Sequence, residues 1–229
     1  MKWIVTFGRS LFFVLIITGF CAGPSSAQKR FALVIGNKDY SSSVGALTNP
    51  IKDVELISNA LTQVGFDVVS YRNAKRVDIN REVGRLGAKM GDAGDNTIGF
   101  LYYSGHGVAR AQDRANYLIP VDVKDMRNED FWFDAVPLDA IIKELVLSAP
   151  KASLFVVFDA CRNELRLPTK SMAKGFEVLE KRGVFIAFST SPGDVASDIG
   201  DTGGPYARAL AAELLKPGQD QLALLRWDS

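Results

Sequence analysis

The chain has 229 residues, 47% of them hydrophobic, with 27 basic and 26 acidic side chains and a formal net charge of +1. That length suits one domain with a small appendage, and the apolar share suits a globular protein with a sizeable core. The near-cancelled charge, without any Lys/Arg block, lacks the electrostatic signature of a nucleic-acid or anionic-lipid binder, and no low-complexity or repeated segment is present.

The N-terminus differs from the rest. Residues 1–10 carry Lys2 and Arg9 and no acid, Leu11–Cys21 is an apolar run, and AGPSSAQ follows. This order is that of a secretory signal peptide cut after Ala27, with Gln28 as the new N-terminus. The run is short of the roughly 20 apolar residues a membrane span needs. The expectation is therefore a signal peptide over 1–27, one domain over 28–229, a periplasmic or secreted location and no stable membrane insertion after cleavage; an uncleaved anchor is the alternative. Cleavage removes Cys21 and leaves Cys161 as the single thiol in a compartment that oxidises thiols into pairs. Such a thiol is either buried or a nucleophile.

From residue 30 the chain alternates strand and helix patterns. Arg30–Gly36 reads as a strand. Pro50–Val64 has apolar residues at 51, 54, 57, 60, 61 and 64, a helical spacing with proline at the first position. Phe66–Tyr71 is a second strand, Val77–Met90 a second helix with Asp78 near its start, GDAGD at 91–95 a turn, and Asn96–Ser104 a third strand. Gly107 to about Pro137 reads as irregular. Leu138–Leu147 is a helix, Ala152–Asp159 a fourth strand, Arg162–Arg182 a polar loop with six basic residues, Gly183–Ser189 a fifth strand, and Pro205–Leu215 a last helix. Several strands are continuous apolar runs, as when both faces are covered, so the pattern predicts an α/β fold with a mostly parallel sheet between helices.

In such sheets function collects beyond the carboxyl ends of the strands. SGHG leaves strand three there with His106, the only histidine. DACR leaves strand four with Cys161. Parallel neighbours put both on one edge, and glycines flanking the histidine leave room for a substrate and free backbone N–H groups for an oxyanion. A histidine about 50 residues before a cysteine is a nucleophile–base arrangement described for caspases. Read singly, His106 is a turn residue and Cys161 a core residue; the pairing makes the difference. One histidine and one cysteine cannot build a zinc site of imidazole and thiolate ligands, and no phosphate loop is present, so no metal and no cofactor is expected. Acidic groups at Asp122, Asp125, Glu129, Asp130 and Asp134, and at Asp194, Asp198 and Asp201, read as solvated loop faces, with cation binding as the minority alternative.

YYSGHG followed by FDACRN, with RFALVIGNKDY and LTNPIKDV upstream, resembles the bacterial caspase-like peptidases, relatives of the metacaspases. The resemblance spans about Arg30 to Leu215. It implies a three-layer α/β/α caspase-like sandwich and a cysteine endopeptidase with Cys161 as nucleophile, His106 as general acid/base, and the N–H groups of Gly107 and Cys161 as oxyanion hole. It also implies that Asp53, Ser104 and Asp159 hold a basic P1 side chain. Two carboxylates around a pocket favour guanidinium or ammonium, and DACRN has an acid where true caspases, which cleave after aspartate, have glutamine; cleavage after Arg or Lys is expected, with a protein or peptide as substrate and no nucleic-acid partner. No third residue orienting the imidazole is evident. The resemblance further implies self-cleavage in the basic 162–182 loop and a cleft bordered by 189–204, and relatives usually continue past the last helix, so the C-terminal part reads as truncated. A non-catalytic caspase-fold interaction or regulatory module is the competing class, and a redox-sensing thiol a third.

Overall fold

In the computed structural model, residues 28–110, 115–127, 130–160, 163–164, 183–189 and 202–216 are described. Five strands run parallel in the order β2-β1-β3-β7-β9, with β1 at Lys29–Gly36, β2 at Asp67–Arg72, β3 at Thr97–Gly105, β7 at Ser153–Ala160 and β9 at Val184–Phe188. The helices are α1 (Pro50–Gln63), α2 (Arg76–Ala93), the single turn α3 (Phe131–Asp134), α4 (Leu138–Ser148) and α5 (Pro205–Leu214).

Strand alternation sorts the core into two layers. Leu33, Ile35, Leu101, Tyr103, Val156 and Phe158 face α2 and α4. Ala32, Val34, Phe100, Tyr102, Phe155 and Val157 face α1 and α5. All nine residues of β3 are buried, which explains why TIGFLYYSG reads as an unbroken apolar run. The sheet is thus the middle layer of an α/β/α sandwich, as expected. In α1 the apolar spacing places Val54, Ile57, Ala60 and Leu61 in the core, where a Leu61→Ala truncation is expected to cost about 2–5 kcal/mol.

Two stretches differ from the sequence reading. Gly91–Ala93 is not a turn but the last part of α2, and the helix stops at Gly94. A Cβ on Gly87 or Gly91 would lie 2.8 Å from the Ser148 Oγ and 2.6 Å from the Ser148 carbonyl oxygen, so these glycines let α2 and α4 approach closely, and that packing carries the helix past its own poor propensity. The 107–137 stretch is also more ordered than expected. It holds β4 (Gly107–Ala109), β5 (Asn116–Leu118) and β6 (Val136–Pro137), which with β8 (Asn163–Glu164) form a second sheet in the order β6-β5-β4-β8. Beneath it lies a separate small core of Tyr40, Val108, Tyr117, Ile119, Val123, Phe131 and Ala135. Strands of two or three residues are too short to show a period of two; pairing, not local pattern, makes them.

Candidate active site

The small sheet sits on the carboxyl rim of the large one, and two chain segments belong to both. β3 ends at Gly105 and β4 starts at Gly107; β7 ends at Ala160 and β8 starts at Asn163. In the large sheet Gly105 pairs with Ala160, and in the small sheet Val108 pairs with Asn163, so both ladders have the same 55-residue offset (105 to 160, 108 to 163). His106 and Cys161 are separated by that same offset, and each is the residue immediately after one of the paired ends. Cys161 itself lies outside the described residues, as do residues 1–27 with the expected signal peptide, Glu129, the basic residues of the 162–182 loop, and Asp194, Asp198 and Asp201.

The His106 Nε2 lies 2.7 Å from the Gly45 carbonyl oxygen. A carbonyl can only accept, so Nε2 carries a proton and donates, and Nδ1 is the nitrogen that takes up a further proton. The third group that the sequence did not reveal is therefore a backbone carbonyl. Gly45 has φ +95°, a conformation that glycine adopts without Cβ strain. Its turn is closed by Gly45 N–H donating to the Ser41 carbonyl at 2.8 Å, and Ser41 Oγ donates to the Lys124 carbonyl at 3.0 Å, as Ser43 Oγ also does.

A Cβ on Gly105 would lie 2.7 Å from the hydroxyls of both Tyr103 and Tyr40, and one on Gly107 would lie 2.5 Å from the Phe158 ring. These glycines make room for aromatic side chains of the protein itself. The N–H of Gly107 belongs to the first residue of β4, which is paired with Leu118.

The acidic residues come together on the α1/α5 face of the same rim. Asp53, in the first turn of α1, is 3% exposed, and Ser104, near the end of β3, is likewise 3% exposed. Ser104 Oγ donates to Asp53 Oδ2 at 2.8 Å, and the Gly204 N–H just before α5 donates to Asp53 Oδ1 at 2.7 Å. Asp159 is the register partner of Ser104 and accepts from the Tyr102 hydroxyl at 2.7 Å. Burial raises the Asp159 carboxyl above its ordinary range, against the opposing hydrogen bond from Tyr102. Tyr102 is held well above the usual phenol range by burial and then by the negative fields of Asp159 and Asp53. On α5, Tyr206 is pushed up to about 12 by burial and by Asp159. Tyr102 and Tyr206 were missed at the sequence level: each looks like a core aromatic, and only register and helix docking set them beside the acids.

Two acids of the other cluster make separate contacts. Asp122 Oδ1 accepts from the Arg76 N–H at 3.1 Å, and Asp125 forms a two-point contact with Arg127 that lowers its carboxyl to about 2. Among the described residues, no group of three or more His, Cys, Asp or Glu is arranged to hold a metal ion, and no helix is long and apolar enough to cross a membrane.

Comparison with known proteins bears on this rim. The family model described as a caspase domain matches residues 29–226. Among solved structures, caspase-1 from Spodoptera frugiperda is similar with a TM-score of 0.57 at 19% identity, covering 82% of this chain and 69% of that one. A structure described as pro-sf-caspase-1 is similar with a TM-score of 0.55 at 18% identity, covering 86% of this chain and 76% of that one. At these identities the structures report the fold. A search of curated proteins gives no match.

Proposed function

The chain belongs to the caspase-domain family of cysteine endopeptidases, and from that premise we propose that Cys161 and His106 form its catalytic dyad and that it cleaves peptide bonds after Arg or Lys. The supporting observation is the shared 55-residue offset, which brackets residues 106 and 161 with paired neighbours on both sides (105 with 160, 108 with 163). In this reading the Cys161 thiol gives its proton to His106 Nδ1, the nitrogen that the Gly45 contact leaves for that task. The thiolate adds to the scissile carbonyl, and the N–H groups of Gly107 and Cys161 hold the oxyanion. The imidazolium then protonates the leaving amine as the C–N bond breaks. A water molecule gives a proton to His106, attacks the thioester and releases the acid and the thiol.

The preference for a basic P1 residue is supported by two acids on one rim: Asp159 lies in register with Ser104, whose hydroxyl donates to Asp53. A cationic side chain there relieves the cost of Asp159's burial, whereas an aspartate adds a third negative charge. Export through residues 1–27 is part of the same proposal, supported by the Lys2/Arg9, apolar, small-residue order of that segment; N-terminal sequencing of the exported protein is expected to begin at Gln28.

The test is hydrolysis of fluorogenic peptides that differ only at P1. Arg and Lys substrates are expected to be cleaved and the Asp substrate not, with cleavage lost in Cys161→Ala. Absence of all cleavage with a Cys161 inert to iodoacetamide would instead indicate a non-catalytic interaction module, and absence of cleavage with a reversibly oxidised Cys161 a redox sensor.

A further inference from the structure

We propose that Tyr40 is the positioning residue for the His106 imidazole, acting through its hydroxyl on the His106 main chain and through its ring on the imidazole face. This rests on the reading of His106 as the proton carrier. Tyr40 lies four residues beyond the end of β1, in the same loop that supplies the Gly45 carbonyl. That one loop therefore touches His106 at three places. The Tyr40 hydroxyl accepts the His106 N–H at 2.9 Å, the Tyr40 ring centroid lies 4.6 Å from the imidazole centroid at 57°, and the Gly45 carbonyl accepts the Nε2–H at 2.7 Å.

The hydroxyl is itself held in place. It donates to the Ile119 carbonyl at 3.0 Å, while Ile119 N–H donates back to the His106 carbonyl at 3.1 Å. The Tyr103 hydroxyl lies 2.8 Å from the His106 carbonyl oxygen, 2.9 Å from the Ile119 carbonyl oxygen and 3.2 Å from the Tyr40 hydroxyl. Its single proton is shared between the two carbonyls, and the His106 carbonyl is held in either case by the Ile119 N–H. Asn37, fully buried at the end of β1, adds Nδ2 to the same Ile119 carbonyl at 3.2 Å. The His106 amide and carbonyl are thus each clamped, although no regular strand is assigned at residue 106 itself. Burial holds the Tyr103 hydroxyl well above the usual phenol range, so it stays protonated at neutral pH. A phenylalanine at position 40 would pack in the same place but could not receive the N–H. In a residue only 8% exposed, a hydroxyl with that donor–acceptor pair is spent on holding the imidazole-bearing backbone.

The experiment compares Tyr40→Phe, Tyr40→Leu and His106→Ala in the full chain, with kcat measured per titrated active site on the Arg-P1 peptide. Tyr40→Phe keeps every ring contact and the fold, and is expected to lower kcat by roughly tenfold or more with KM within about twofold, because a small misplacement of a catalytic group reduces the chemical step rather than binding. Tyr40→Leu is expected to lose more, roughly a hundredfold. Since the chain has one histidine, the nitrogen-15 shifts of the imidazole report its tautomer without ambiguity: wild type and Tyr40→Phe should show the Nε2–H form, and Tyr40→Leu an averaged signal. Wild-type kcat per site in Tyr40→Phe overturns the proposal, whatever Tyr40→Leu does. Full activity in His106→Ala overturns the dyad itself, and Tyr40's role with it; an inactive His106→Ala beside a fully active Tyr40→Phe removes Tyr40 alone.

Discussion

Asp53 and Asp159 are both acids at the same rim, yet they are held differently. Asp53 is almost wholly buried, and each of its oxygens accepts a protein donor, one from Ser104 and one from the N–H that precedes α5. Asp159 is only half-buried; Tyr102 donates to one of its oxygens, and burial pushes its carboxyl upward. The first arrangement ties three elements together: α1, β3 and the start of α5. The second leaves a carboxylate for which burial outweighs the hydrogen bonds it accepts. In the proposed reading of a basic P1 site, the contrast gives Asp159 the larger share of recognition and Asp53 the larger share of tying the three elements together.

Four variants sharpen or break that division. The largest effect is expected from His106→Ala, which removes the proton carrier on which both acids depend and should lower kcat on the Arg-P1 peptide by about a thousandfold or more, with the fold intact by circular dichroism. Next, Asp159→Asn should reduce kcat/KM for Arg-P1 by roughly 10–150-fold, the loss of a charge-assisted hydrogen bond. The same variant should be more stable than wild type at pH 7. The sign follows from Asp159's raised folded-state value: the folded protein favours the protonated acid, so wild-type stability is lost as pH rises through the ordinary carboxylate range and past that value, whereas below the unfolded value the two proteins should melt together. If the relief is worth ~1 kcal/mol, Tm rises by about 2–4 °C.

Asp53→Asn should do the reverse. It weakens the two donor contacts and lowers stability by about 1–3 kcal/mol, with a smaller change in P1 preference than Asp159→Asn. A Tm unchanged in Asp53→Asn but a large loss of Arg-P1 cleavage would invert the assignment. The smallest effect is expected from Gly45→Ala, which places a Cβ at φ +95°; the strain is of order 1–3 kcal/mol and its activity signature is a modest fall in kcat as the carbonyl that receives the Nε2 proton shifts.

Much of this was legible in the sequence, for identifiable reasons. Two long elements carry their own periodicity: Val54, Ile57, Ala60 and Leu61 mark α1, and TIGFLYYSG marks the central strand, each with boundaries within one residue, whereas the end of α2 was read three residues short. The gathering of Asp53, Ser104 and Asp159 was expected from resemblance, and the register of β3 on β7 realises it. What was not legible depends on backbone atoms and long-range pairing. A carbonyl acceptor such as Gly45 has no residue-type signature, although a glycine in a loop shortly after a strand end is the one hint the sequence offers. The small sheet arises where β4 and β8 extend β3 and β7 beyond the rim, which no local window contains. The tyrosines at 40 and 102 look like packing residues because their rings do pack; it is their hydroxyls that single them out.

The central claim is that Cys161 and His106 act together on a substrate with a basic P1 residue. Its most direct measurement is mass-spectrometric mapping of the residue modified by a peptidyl chloromethyl ketone carrying Arg at P1, alongside its Asp-P1 counterpart, in wild type and His106→Ala. The account predicts a single adduct on Cys161 with the Arg reagent, strongly slowed in His106→Ala and in the Asp reagent. Faster modification by the Asp reagent, or a Cys161 that reacts equally well without His106, would contradict it.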